Sequence, residues 1–332
     1  MSGILKFGVI GYGFMGKTHA GNIARHPRAE VVAVYSQPEV KVNLENVNVY
    51  TDDWKNLIDD SNVQAVVIAT PTTTHKEIAI YAAKAKKHIF LEKPMARTVE
   101  ECADIIKAAQ ENGVKLFLAH VLRFWPSYAA AFNSVQQKET AIGNVKMVRA
   151  QRFSAFPQWS KWFTSEKESG GCILDLSIHD IDFAQWILGK PIDTVYCEAR
   201  KLPELGIDNW GISMTTLHCT GGEIAHCEAS WATTAAYGFG TTCEVIGTSG
   251  IIKFDSRSAI PIRNYGKESA LVDDPMAEDG YYIELDAFIR SLLDDAPILV
   301  SGDDGKYAVA LCIAALKSAH EHRPVKVSEV FQ

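Results

Sequence analysis

The chain has 332 residues, of which 47% are apolar and 22% charged, with a formal net charge of −7. That length leads to the expectation of two domains, and the composition is that of a globular protein with ample core. The acidic balance argues against nucleic acid or an anionic membrane as the main partner, and no apolar run is long enough to span a bilayer.

The N-terminus has no basic region followed by a long apolar segment and a cleavage site, so no signal peptide is expected. Seven cysteines, Cys102, Cys172, Cys197, Cys219, Cys227, Cys243 and Cys312, show no C-x-x-C spacing. They read as reduced, mostly structural thiols of a cytoplasmic protein rather than as metal ligands.

An apolar run from Ile4 reads as a short buried strand that breaks into Gly11-Tyr12-Gly13-Phe14-Met15-Gly16, and Lys17 to Ala24 then reads as a helix. Strand, glycine turn and helix in that order give the G-x-G-x-x-G spacing its meaning. Gly11 permits the turn, Gly13 lets backbone approach a pyrophosphate, and Gly16 lets helix and strand pack closely. The free N–H groups at the helix start would face the anion. An isolated match could be an ordinary strand–helix turn, but strands follow at the right distances, and dinucleotide binding is the stronger reading.

Glu30 to Tyr35 reads as the second strand, ending at Ser36. An NAD-specific fold usually has Asp or Glu there, against the ribose 2′-hydroxyl. Ser36 cannot repel a 2′-phosphate, and Lys41 is near enough in sequence to meet one, although it reads equally as a surface lysine. The cofactor expectation is therefore NAD(P), with the balance toward NADP.

The segment between Ser36 and Tyr50 is too short for a full crossover helix, and Asp52 to Ile58 could form a short one. Ala65 to Thr70 is a buried parallel strand cut by Pro71. Glu77 to Lys86 reads as a helix, His88 to Leu91 as a strand, and Glu92-Lys93-Pro94 as a loop at its carboxyl end. Thr98 with Glu101 forms a capping box, and Lys115 to Ala119 is the last strand of this half. Alternating strands and helices imply a doubly wound, parallel α/β sheet whose ligands sit beyond the carboxyl ends of its strands. Thr70, Pro71, Glu92, Lys93 and His120 lie there. Lys93 reads either as a surface charge or as an ammonium able to steady alkoxide charge on a substrate.

From about Val121 the texture changes. Arg123-Phe124-Trp125-Pro126 leads into a helix over Tyr128 to Gln137. Strands follow at Val145 to Phe153, Val195 to Arg200, Trp210 to Cys219, Gly222 to Trp231, Cys243 to Gly247 and Ile251 to Phe254. Short turns between them imply an open, largely antiparallel mixed sheet. Tyr281 to Leu293 and Lys306 to His320 read as helices. The expected domains are therefore residues 1–120, of α/β class, and 121–332, of α+β class.

Within Gly170 to Gly189, Leu174, Ile178, Ile181 and Gln185 or Trp186 mark a buried helical stripe. Asp175, His179 and Asp182 fall at i, i+4 and i+7 on another. A carboxylate one turn before an imidazole can fix its tautomer and orient it as a general base, although an exposed Asp–His pair would show the same spacing. Asp180 reads as solvated or capping. Phe156 to Phe163, including Trp159 and Trp162, is an aromatic loop suited to a sugar face, to packing or to an oligomer contact.

On Gly11-x-Gly13-x-x-Gly16, Ala69-Thr70-Pro71 with His75, Glu92-Lys93-Pro94, Arg123-Phe124-x-Pro126 and Asp175-x-x-x-His179, the chain resembles the glucose-fructose oxidoreductase / inositol dehydrogenase / MocA-like (Gfo/Idh/MocA) family over nearly its whole length. The resemblance implies a Rossmann domain followed by a domain with an open mixed sheet, used to form homodimers or homotetramers. It implies Lys93 and His179 as catalytic residues, with Asp175 assisting. Cofactor contacts would come from Gly11, Gly13, Phe14, Met15, Gly16, Ser36, Lys41, Ala69, Thr70, Pro71, His75, Glu92 and Lys93. Substrate contacts would come from Lys93, His120, Arg123, Asp175, His179 and Trp162, with no metal. The chain departs from the family at Ser36, in the shortened segment after it, and at Ala119-His120, where many members have Gly followed by an aromatic residue or Asn.

The expected activity is NAD(P)-dependent oxidation of a secondary hydroxyl on a sugar or cyclitol. The alternatives are an NAD-dependent glycosidase that oxidises its sugar transiently, and a non-catalytic dinucleotide-binding sensor. A sensor has no need of Lys93, Asp175 and His179 together.

Overall fold

A computed structural model describes residues 3–136, 142–158, 160–258, 262–265, 270–273 and 278–331. Gln137 and Trp159, which the sequence assigns to a helix end and an aromatic loop, lie outside them. The chain forms two compact units: Met1–Val121 with Glu278–Tyr307, and Leu122–Ala277 with Ala308–Gln332.

The first unit is built on β1 (Leu5–Ile10), β2 (Ala29–Tyr35), β3 (Asn48–Tyr50), β4 (Ala65–Ile68), β5 (His88–Glu92) and β6 (Leu116–Ala119), all parallel, in the order β3-β2-β1-β4-β5-β6. This doubly wound order puts its switch point between β1 and β4, where such sheets take nucleotides. The crossovers carry α1 (Phe14–Arg25), α2 (Trp54–Asp59), α3 (His75–Lys84) and α4 (Val99–Asn112); none joins β2 to β3, where the sequence left no room for one.

α4 starts as its sequence dictates, with the Thr98 hydroxyl accepting from the Glu101 amide at 3.2 Å, and ends at Gly113 in the left-handed conformation that glycine favours. Every residue of β4 is buried, as a central parallel strand requires.

The first unit closes with a late segment. After all but the last of the second unit's strands the chain returns as α9 (Gly280–Leu293), and Phe288 enters the same core as Phe7, Phe90 and Phe117, with ring centroids 6.2, 5.6 and 5.7 Å away. His26 and Asp286, 3.2 Å apart, tie α9 to the end of α1. The sequence places everything after residue 120 in one domain; residues 278–307 belong instead to the compact unit of the nucleotide half.

The second unit contains α5 (Pro126–Gln136), β7 (Val145–Phe153), α6 (Glu166–Ser169), α7 (Gly171–Asp175), α8 (Ile178–Leu188), β8 (Ile192–Leu202), β9 (Ile207–Cys219), β10 (Ile224–Ser230), β11 (Gly240–Gly247), β12 (Ile251–Asp255), β13 (Ile262–Tyr265), β14 (Ala270–Asp273) and β15 (Val325–Lys326). α10 (Gly302–Glu321) crosses the boundary between the units.

Among the described residues the nine strands run β14-β13-β12-β11-β7-β10-β9-β8-β15. Only β7 and β10 pair in parallel. Alternation is regular: Val148, Ala150, Ala225, Cys227, Ala229, Ser213, Thr215 and Leu217 are buried, while Met214 and Ile224 are exposed on the other face.

α8 lies on the buried face, against β7 and β10, and is enclosed on nearly every side. That position corrects two expectations. Asp180, expected in solvent, is fully buried and takes two hydrogen bonds from the Arg152 guanidinium at 2.7 and 3.1 Å. Asp182, expected on a stripe shared with His179, is also fully buried and accepts from Arg123 at 2.9 and 2.6 Å. A buried carboxylate is tolerable only with a partner of this kind, and the planar guanidinium supplies two parallel bonds.

Removing one member strands the other charge, so Asp182→Ala should destabilise the protein by about 3–5 kcal/mol in chemical denaturation. Replacing both members, as Arg123→Met with Asp182→Leu, should cost clearly less; equal losses in the single and double variants would contradict this account.

Candidate active site

In the first unit the glycine turn leaves the end of β1 and starts α1. Gly11 has φ +90°, a region that favours glycine, and its N–H donates to the Tyr35 carbonyl at 3.0 Å. A side chain there would lie 2.6 Å from the Ala69 carbonyl oxygen. A Cβ on Gly16 would lie 1.8 Å from the Gly11 carbonyl oxygen, so helix and turn meet backbone to backbone. Gly13 is different, because a Cβ there would meet nothing within 4 Å.

α1 starts at Gly13 with no side-chain cap and no acid in its first turn. Open space, an N-terminus without a side-chain cap and the positive end of the helix dipole suit a pyrophosphate. Phe14 is 69% exposed and Met15 half-buried beside this opening. Ser36 is buried at the end of β2, its hydroxyl donating to the Gln37 carbonyl at 3.4 Å, and Lys41 is exposed on the segment that follows. No carboxylate stands where Ser36 does.

The ends of β4 and β5 are tied together from beneath. His75 is buried, with Nε2 2.9 Å from the Thr70 carbonyl and Nδ1 3.0 Å from the Pro94 carbonyl. Burial pushes its pKa down, while the two carbonyls favour the charged form and offset part of that shift. The role expected for His75, lining the cofactor side, thus takes the form of a strut between the two loops. Ala69 and Thr70 are half-buried in that turn and Pro71 is exposed.

Lys93 follows β5, is half-buried, and forms a cis peptide with Pro94. Glu92, expected among the cofactor contacts, turns into its own domain instead. One carboxylate oxygen accepts from His19 Nε2 at 2.7 Å and the other from the Lys93 amide at 3.1 Å. His120, following β6, is buried.

Two residues outside the expected set complete this cluster. His19 and Glu284 are both fully buried, and with Glu92 they bring three potential ligand atoms within 4.8 Å of one another. Each carries a faint sequence signal. His19 stands on the face of α1 that also holds Ala20 and Ile23, and Glu284 interrupts the apolar series Tyr281, Leu285, Phe288 of α9.

In the second unit, Gly170 and Gly171 both have positive φ, +75° and +63°. A Cβ on Gly171 would lie 2.6 Å from Asn209 Oδ1, so this close approach also needs glycine. The turn delivers α7, which ends at Asp175, and α8 begins at Ile178 after Leu176 and Ser177. The single helix expected over this stretch is therefore two. Asp175 and His179, half-buried, flank the break, apart from the buried Asp180 and Asp182.

Arg123, expected to touch substrate, is itself buried and committed to Asp182. Trp162 is half-buried with its ring 4.2 Å from that of Phe163, which in turn lies 5.9 Å from Trp231. Packing thus accounts for much of the aromatic loop. All seven cysteines are buried thiols outside any disulfide, and burial pushes the Cys102 thiol up to about 12 and the Cys197 thiol up to about 11.

Comparison with known proteins agrees with both halves. Residues 5–120 match the oxidoreductase family with an NAD-binding Rossmann fold, and residues 136–253 match the GFO/IDH/MocA C-terminal domain. A myo-inositol 2-dehydrogenase of Thermotoga maritima is 30% identical, the alignment covering 98% of this chain and 99% of that protein. A 2,7-anhydro-N-acetylneuraminate hydratase of Escherichia coli is 28% identical over 99% of both. A levoglucosan dehydrogenase solved with NADH and L-sorbose superposes with a TM-score of 0.86 at 25% identity, covering 98% of this chain and 99% of that one. The chain belongs to the GFO/IDH/MocA family of oxidoreductases.

Proposed function

We propose that the protein is an NAD(P)-dependent dehydrogenase that oxidises a secondary hydroxyl of a sugar or cyclitol. The observation that carries this reading is Lys93 at the carboxyl end of β5, on the sheet whose glycine turn suits a pyrophosphate. It is supported by relatives named for inositol and levoglucosan oxidation. Bound nicotinamide would supply the hydride acceptor. His179 takes the hydroxyl proton, Lys93 donates a hydrogen bond to the same oxygen and stabilises its developing charge, and Asp175 orients the imidazole.

Assayed against a polyol panel, Lys93→Ala and His179→Ala should each lose at least about a hundredfold in kcat while still binding cofactor. A wild-type rate in either variant would remove the mechanism. The hydratase relative supports a second reading, in which the sugar is oxidised only transiently. Product accumulating without net change in nicotinamide absorbance would select it.

The cofactor preference proposed within NAD(P) leans to NADP, because Ser36 offers no charge against a 2′-phosphate and Lys41 follows it on the exposed segment. Ser36→Asp should shift the NADH/NADPH affinity ratio at least tenfold toward NADH, as expected when a carboxylate opposes a phosphate. An unchanged ratio would place the choice elsewhere.

The protein is further proposed to act in the cytoplasm, an assignment supported by seven cysteines outside any disulfide, and as a homodimer or homotetramer. The assembly would cover the sheet face that exposes Met214 and Ile224. Light scattering should give at least twice the mass of one chain, and Met214→Glu should lower it; a monomeric wild type would contradict the assignment.

A further inference from the structure

Among the described residues, His19, Glu92 and Glu284 form a cluster of fully or nearly fully buried ionisable side chains in the nucleotide half that the proposed mechanism does not use. Its geometry allocates charge. His19 Nε2 lies 2.7 Å from one Glu92 oxygen and the Lys93 amide donates to the other at 3.1 Å, so both Glu92 oxygens have a partner through which the cluster's negative charge can be held. Glu284 comes from α9, is fully buried, and neither of its oxygens meets a hydrogen-bond partner within the protein. A second negative charge within 4.8 Å of the first, with no donor to hold it, would be very costly.

The other titratable groups around the cluster do not change this balance. Asp279, which caps α9, adds negative charge from the same helix. His75, on α3, acts on Glu92 rather than on Glu284. Phe90 and Tyr281 present ring edges to His19, with centroids 4.9 and 6.2 Å away.

We propose that Glu284 is a positioning residue for Lys93: held neutral, it leaves the cluster's one negative charge on Glu92, whose two oxygens then fix α1 and the start of the Lys93–Pro94 loop. The proposal rests on the reading of Lys93 given above. Burial, the nearby Glu92 and Asp279 all push the Glu284 carboxyl well above its usual range. A carboxyl whose pKa is raised on folding stabilises the fold fully below its unfolded value of 4.5, and that contribution is lost as pH rises from there through the folded value.

The test compares Glu284→Gln, Glu284→Ala and wild type for thermal stability, kcat and cofactor affinity from acid to alkaline pH. The melting temperature of the wild type should fall relative to that of Glu284→Gln as pH rises above about 4.5. Glu284→Ala, which keeps the single charge but leaves a cavity beside Glu92, should lose about tenfold in kcat with cofactor affinity kept, and Glu284→Gln, which fills the space without a charge, should restore it and lack the wild type's alkaline decline, about 1.4 kcal/mol of transition-state positioning.

A pH-independent stability difference would mean that Glu284 is already ionised, and would overturn the proposal. So would Glu284→Gln being as slow as Glu284→Ala. So would a wild-type melting temperature raised by Mn²⁺ or Zn²⁺ and lowered by chelator, which would make the three residues a cation site. The stability measurement does not involve Lys93. A Lys93→Ala variant of normal activity would defeat the catalytic reading while leaving the charge state of Glu284 separately decided.

Discussion

The close approach of α1 to the turn beneath it governs the nucleotide half. With 1.8 Å between a hypothetical Gly16 side chain and the Gly11 carbonyl, only a bare backbone lets the helix start where it does. That start puts the N-terminal end of α1 beside the open space at Gly13, and it brings His19, one turn further on, over β5. The same contact thus sets the anion-binding end of the helix and the residue that grips Glu92. The loop carrying Lys93 inherits its position from both.

Buried charge recurs in each unit and is resolved differently. In the second unit, Asp180 and Asp182 are neutralised by Arg152 and Arg123, whose forked guanidinium groups can be enclosed with their partners. In the first, no arginine among the described residues joins the cluster around Glu92, and the balance falls to the His19 and Lys93 hydrogen bonds and to the neutral acid proposed for Glu284. The first solution is insensitive to pH near neutrality, because arginine stays charged. The second is tunable, and it lies one residue from the lysine assigned to chemistry.

Much of the fold was legible in the sequence because its signals are local. The apolar run Ala65 to Ile68, the Thr98 cap and the three glycines each fix a conformation within a few residues, and the structure adopts all of them. The burial of Asp180 was not legible. A short helix enclosed on all sides keeps its charges only through partners distant in sequence, and Arg152 lies on a strand 28 residues upstream. Glu284 failed to stand out for the same reason: an acid in an amphipathic helix ordinarily faces water, and nothing within α9 reveals that β5 supplies a second carboxylate. The break between α7 and α8 was hidden because Leu176 and Ser177 keep helical backbone angles, so the apolar period runs through without a gap.

The return of α9 to the first unit bears on synthesis. Phe288 completes an aromatic core whose other members, Phe7, Phe90 and Phe117, leave the ribosome far earlier. During translation that sheet face must wait bare until nearly the whole polypeptide has emerged. The half of the protein made first is therefore among the last to be finished, and a genetic cut at the obvious domain junction would separate it from its own lid of hydrophobic side chains.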